Sequence, residues 1–189
     1  IGQVDVMHAR LQARTRDELV VDASNGGRTS YRNAGRTLRQ GLELSLASGF
    51  SNGWNAQVAA NLLRAIYDDG FGAIPQGNRL PGVPRASLFS ELGWTTPDGR
   101  VNAALDAQAS RKLPPDDANT AVAAPGYAIL NARVQARQQV GRWRLKQYLR
   151  LNNLLDRDYV GSVIVAEANR RDDEAAPGRN WMLGVSAQY

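Results

Sequence analysis

One histidine, His8, and no cysteine occur in the 189 residues, and these counts remove most catalytic and metal chemistry. A serine nucleophile needs a general base within hydrogen-bond reach, and only His8 could serve. Ser30, Ser45 and Ser110 have no motif around them. Without cysteine there is no disulfide framework and no thiolate metal site. Carboxylates remain: Asp68-Asp69 and Asp116-Asp117 sit in Gly- and Pro-rich stretches, where a hard cation such as Ca²⁺ could be held. Paired acids in loops are more often simply hydrated. The expectation is a chain that is not an enzyme, with no cofactor, no catalytic residue and no metal ligand, and with ligand-contact residues unassigned.

The remaining reactive resource is positive charge. The chain has 23 Lys+Arg against 18 Asp+Glu, a net +5 carried mostly by arginine. These arginines alternate along the chain instead of clustering, and no recognition helix or aromatic RNA-binding motif accompanies them, so no nucleic acid partner is expected. Arg79, Arg111, Arg170, Arg171 and Arg179 fall in irregular stretches and could attract an anionic ligand, with Asp172, Asp173 and Glu174 at hand to neutralise some of them.

The elements that position these groups read as strands. In residues 181–189, Trp181, Leu183, Val185, Ala187 and Tyr189 share one face, and Met182, Gly184, Ser186 and Gln188 the other. Leu42, Leu44 and Leu46 alternate with Glu43 and Ser45; Trp54, Ala56, Val58, Ala60 and Leu62 alternate with Asn55, Gln57 and Asn61. Further strands are expected over 4–14, 18–23, 86–94, 127–138, 142–153 and from Val101, with one run over 31–48, about nine in all. Arg16-Asp17 is expected to turn the first strand into the second. Ser51-Asn52-Gly53, Pro97-Asp98-Gly99 and Val140-Gly141 are tight turns, whereas 67–85, 112–126 and 154–179 are long and rich in Pro and Gly.

Short turns on one rim, long loops on the other and strands of about ten residues are the pattern of an outer-membrane β-barrel. No stretch approaches the ~20 apolar residues of a membrane helix. Arg133, Arg137, Arg144, Lys146 and Arg150 share the polar faces of their strands, and that many cations must meet water, here a wet lumen. Phe50, Trp54, Trp94, Trp143 and Tyr189 fall near the short turns or the C-terminus; Tyr31, Tyr67, Phe71, Tyr127, Tyr159 and Trp181 fall near the long loops. Two interfacial aromatic girdles are therefore expected, with only Phe89 and Tyr148 mid-strand.

Four motifs occur in order along most of the chain. They are Asn33-Ala34-Gly35-Arg36 leading into Gln40-Gly41-Leu42-Glu43-Leu44, then Asn78-Arg79-Leu80-Pro81-Gly82-Val83-Pro84, then Asn153-Leu154-Leu155-Asp156-Arg157-Asp158-Tyr159-Val160, and finally Ala176-Pro177-Gly178-Arg179-Asn180-Trp181. Through them the chain resembles the TonB-dependent receptors of the Gram-negative outer membrane, in the C-terminal portion of their β-barrel. Read physically, the motifs are architectural: Gly35 and Gly41 for kinks or close approach, Pro81 and Pro84 before a strand, Asn153 and Asp156 at a turn.

The resemblance implies a barrel of about 22 strands filled by a plug. Residues 1–189 would be its C-terminal part, with the plug domain, the TonB-binding box and the earlier strands outside this sequence. Ile1 begins directly in strand pattern, and the chain reads as a segment of something longer, whose end at Tyr189, where the family commonly has Phe, could be trimmed. The implied function is TonB-coupled import of a scarce chelate, a ferric siderophore first, across the outer membrane; the alternative is a passive porin-like channel. Ligand selectivity would lie in loops 67–85, 112–126 and 154–179. Implied partners are the TonB complex, the chelate, outer-membrane lipid, and the barrel assembly machinery acting through the C-terminal strand. Tyr189→Ser in the full-length protein should lower the amount of folded barrel more than ligand affinity; normal barrel levels on heat-modifiability gels would refute this.

Overall fold

The computed structural model describes residues 3–166 and 173–189. Its elements in chain order are β1 (Gln3–Arg16), β2 (Leu19–Asn25), β3 (Arg28–Asn33), β4 (Arg36–Gly49), β5 (Trp54–Tyr67), β6 (Ala86–Thr95), β7 (Val101–Ser110), β8 (Tyr127–Val140), β9 (Trp143–Asn152), β10 (Val160–Val163), β11 (Asp173–Ala175) and β12 (Asn180–Gln188). Eight of them form one antiparallel wall in the order β1-β4-β5-β6-β7-β8-β9-β12. The wall does not close on itself: β1 and β12 are its open edges, as in an arc of a larger barrel.

Register carries one side-chain parity across the wall. Leu46 lies opposite Val58, Leu92 opposite Leu105, Val134 opposite Leu149, and Leu149 opposite Leu183. The apolar face so assembled is the exposed one, while the polar face is sheltered: Leu105 is 48% exposed and its neighbour Asp106 only 2%. A water-soluble sheet shows the reverse. On the sheltered face Arg133 of β8 reaches Glu91 of β6 over Ala104, and Arg150 of β9 reaches Asp106 of β7, each skipping a strand. The sheltered polar side corresponds to a barrel lumen and the exposed apolar side to its lipid-facing surface.

The aromatic girdles are half of what the sequence suggests. Trp54, Trp94, Trp143 and Tyr189 do face outward at the short-turn rim, and the rings of Trp143 and Tyr189 meet edge to face at 5.1 Å. At the long-loop rim only Trp181 faces lipid. Tyr67 is fully buried among the loops, Phe71 packs on it at 4.9 Å, Tyr31 lies in the β2–β3 hairpin, and Tyr127 turns inward to stack on Tyr159. Phe89 and Tyr148, opposite Gln108 and Gly184, are lumenal.

Residues 18–23 also depart from expectation. They do not return along β1; β1 pairs with β4, and β2 pairs only with β3 around Gly26 and Gly27, both at positive φ. The run over 31–48 breaks at Gly35, whose φ of 71° turns the chain from β3 into β4. Residues 17–35 are thus a fourth long connection, and short and long connections alternate without exception. β10 and β11 similarly form a hairpin within 154–179.

The wall has no apolar core of its own, because its apolar face is given to lipid. The one buried apolar cluster among the described residues is Ala34, Ala65, Tyr67, Ile74 and Leu80, where the long loops cover the ends of β4 and β5. The face assignment has a direct test in the full-length protein refolded into lipid vesicles. Leu105→Arg should cost about 2–4 kcal/mol in urea unfolding, as a cation near the bilayer midplane does, whereas Ser45→Arg on the lumenal face should change stability far less.

Candidate functional site

Above the lumen the long loops are tied by a few buried polar contacts. The Tyr67 hydroxyl donates to Asp117 at 2.5 Å, and Arg32 donates to the other oxygen of that carboxylate at 3.1 Å while lying 4.7 Å over the Phe71 ring. Asn78 donates to the carbonyls of Asp117 and Ala118, and the Asn119 side chain accepts from the Arg79 amide. Glu18 accepts from Arg39 and from the Thr37 hydroxyl, and the Arg39 guanidinium holds its carboxyl below the usual carboxylate range. With the folded-state pKa depressed, this pair contributes fully at neutral pH and is lost as pH falls through that lowered value.

The sequence motifs are the anchors of this layer. Asn33 accepts from the Gly35 amide at 2.8 Å, which sets the turn into β4, and Arg36 grips Asp69. The Gly82 amide donates to the Pro114 carbonyl at 2.8 Å, tying 68–85 to 111–126. Asn153, 1% exposed and at positive φ, closes its own turn through both side-chain atoms with Arg157. Asp156 accepts from the amide of Arg179 and pairs with its guanidinium, which places the start of β12.

Each candidate residue from the sequence now has a place. His8 lies opposite Leu44 on the outward face, and Ser45 opposite Met7 on the lumenal face, so no Ser-His pair forms there. Ser30 and Ser110 donate to nearby carbonyls. Asp117 is occupied by Tyr67 and Arg32; Asp116 accepts from the Thr120 hydroxyl; Asp69 holds Arg36, and no cluster of three metal-ligating side chains occurs among the described residues. Arg79 and Arg111, which could attract an anionic ligand, fall by backbone position in the lipid-facing row. Arg79 is bridged opposite Ile66, and the Arg111 amide bonds Ala86 of the outward row. Alternation counted on from Ala109 would have shown this for Arg111. Arg179 is paired with Asp156, Glu174 with the Ser162 hydroxyl, and Asp173 lies opposite Val163 in the hairpin. Arg170, Arg171 and Asp172 lie outside the described residues.

What remains open to a solute is the lumenal wall under the loops. A hollow of about 650 Å³ there is lined by the polar groups of Glu43, Ser45, Asn61, Gln108 and Tyr127 interleaved with apolar Met7, Ala9 and Phe89. Below it Asp106 accepts from Asn131 at 2.7 Å and sits 3.2 Å from the Arg150 guanidinium, beside the Arg133–Glu91 pair. The arrangement offers many hydrogen bonds and no nucleophile, which suits contact with a hydrated solute or a polar protein surface.

Residues 12–154 match the sequence model of the family described as TonB dependent receptor-like, beta-barrel. The chain belongs to the TonB-dependent receptor family. The match is to the outer-membrane barrel domain of that family. The receptor fold is shared with the siderophore receptor PiuA from Acinetobacter baumannii (21% identity, TM-score 0.74, 96% of this chain and 26% of that one). It is shared also with the ferric yersiniabactin uptake receptor FyuA from Yersinia pestis (23%, 0.72, 97% and 27%) and the copper transporter OprC (15%, 0.72, 96% and 28%). The chain thus spans about a quarter of the length of the receptors it resembles. Asp117→Ala in the full receptor should leave the Tyr67 hydroxyl without its acceptor and Arg32 with only Asp22, and speed hydrogen exchange in 111–126 and 17–35 while the wall strands stay protected. Unchanged exchange in those loops would show that Asp117 does not hold them.

Proposed function

We propose that residues 1–189 are the C-terminal part of the barrel of an outer-membrane receptor whose plug domain and earlier strands lie elsewhere in the protein. The whole receptor imports a scarce chelate, a ferric siderophore first, on energy relayed by TonB. Family membership supports the transport class, and PiuA and FyuA bear the names of siderophore receptors. The observation that carries the reading is the lumenal wall: a sheltered, ion-paired and amide-rich surface beneath packed loops, shaped for a hydrated solute and for a polar plug. Lipid surrounds the apolar face, and the assembly machinery engages β12.

Uptake of radiolabelled iron carried by catecholate, hydroxamate and phenolate chelators tests this in cells with and without the full-length receptor, each with and without TonB. Receptor-dependent uptake of at least one class that disappears without TonB is the expected result. Uptake unchanged across all classes would sink the iron assignment, and receptor-dependent uptake that persists without TonB would favour the passive channel.

A further inference from the structure

The outer end of the lipid-facing wall is marked by arginine where the aromatic girdle is thin. Arg10 lies opposite Leu42, Arg64 opposite Gln40, Arg79 opposite Ile66, and the Arg111 amide bonds the Ala86 carbonyl, so all four belong to the outward row system. From Trp54 to Arg64 the chain rises roughly 33 Å at about 3.3 Å per residue. At a tilt near 40° that is about 25 Å along the membrane normal, the height of a barrel's apolar band. Arg64 therefore stands at the outer interface, and so does Arg111, equally far along β7 from Val101 at its short-turn end.

Among the described residues none of the four makes an ion pair, in contrast to Arg133 and Arg150 in the lumen. Every carboxylate within the eight wall strands, Asp5, Glu43, Glu91 and Asp106, has lumenal parity. The Arg79 guanidinium, half-buried, donates to the Val83 carbonyl at 2.9 Å and to no carboxylate among the described residues. Two adjoining grooves run under this belt. One, of about 940 Å³, has Arg79 and Arg111 above Leu62, Leu88 and Ala109; the other, of about 700 Å³, has Arg64 and Arg79 above Leu42 and Leu62, with Arg10 in the same row as those leucines.

We propose that this belt binds the phosphate-bearing headgroup of an anionic lipid of the outer leaflet, with an acyl chain lying in the Leu- and Ala-floored grooves. Guanidinium groups match phosphate oxygens with paired, charge-assisted hydrogen bonds. A cation at the edge of the hydrocarbon is most stable against an anionic headgroup. The apolar floor continuous with the cations selects a lipid over free phosphate. The inference rests on the membrane placement of the wall and is independent of which solute is imported.

The test uses the full-length receptor in neutral detergent, with diphosphoryl lipid A and its phosphate-free form as probes, followed by native mass spectrometry. The wild type should retain the diphosphoryl form, and excess inorganic phosphate should not displace it. The combined Arg64→Gln, Arg79→Gln and Arg111→Gln variant should bind it about a hundredfold more weakly, since each interfacial cation contributes about a factor of five. The corresponding Arg→Lys variant should fall between the two. Equal retention by the folded Gln variant, equal retention of the phosphate-free lipid, or displacement by inorganic phosphate would each overturn the proposal. If the combined variant does not give a heat-modifiable folded barrel, the single Arg111→Gln variant reads the same comparison.

Discussion

Within hydrocarbon a backbone N–H or C=O has no water to bond, so a chain crossing as strands must satisfy each such group on its neighbours. That constraint sets the wall of this protein. Once β1 is bonded to β4, and β4 through β9 and β12 to one another in unbroken register, the parity of every side chain is decided along the whole sheet. A slip of one residue would turn Leu42, Leu44 and Leu46 to the lumen and Glu43 to lipid. The alternation of apolar and polar residues is therefore a record of which side is wet.

A wall built this way cannot also supply a core. Its apolar area faces lipid, and its polar area is filled by pairs such as Arg133 with Glu91 and Arg150 with Asp106, which satisfy charge in a sheltered setting. Tertiary packing of the usual kind is confined to the loop layer around Tyr67, Ala34 and Leu80. There the family motifs act as anchors: Asn33 and Gly35 aim a hairpin, Asn78 and Gly82 join two loops, Asn153 and Asp156 close one connection and set β12. Their role is to hold the rim.

The two rims of the lipid-facing surface are chemically different. Tryptophan and tyrosine mark the short-turn side, where their amphipathic rings suit the interface. Arginines mark the loop side, above small and aliphatic residues. Two of them, Arg79 and Arg111, read from sequence alone pass for ligand-attracting loop charges, because a loop residue's face cannot be counted once alternation lapses. Arg111 was countable from Ala109; Arg79 was not, since its strand-like bridge to Ile66 forms only when residues 77–80 take the place beside β5 that β6 has vacated.

Local alternation, turn chemistry and the four motifs were enough to establish strands, rims, a wet lumen and the family, because period-two patterning and Gly/Pro punctuation act over a few residues. Their reach ended where partners are distant in sequence. Pairing of Arg16-side β1 with β4, across the β2–β3 excursion, is a choice among strands that look alike locally. The inward turn of Tyr127, the burial of Tyr67 on Asp117 and the outward stance of Arg79 also depend on segments tens of residues away. Sequence determined which residues could face lipid or water; only the assembled wall decided which of the equivocal ones, arginines and tyrosines above all, actually do, because a face exists only after neighbouring strands have bonded in register.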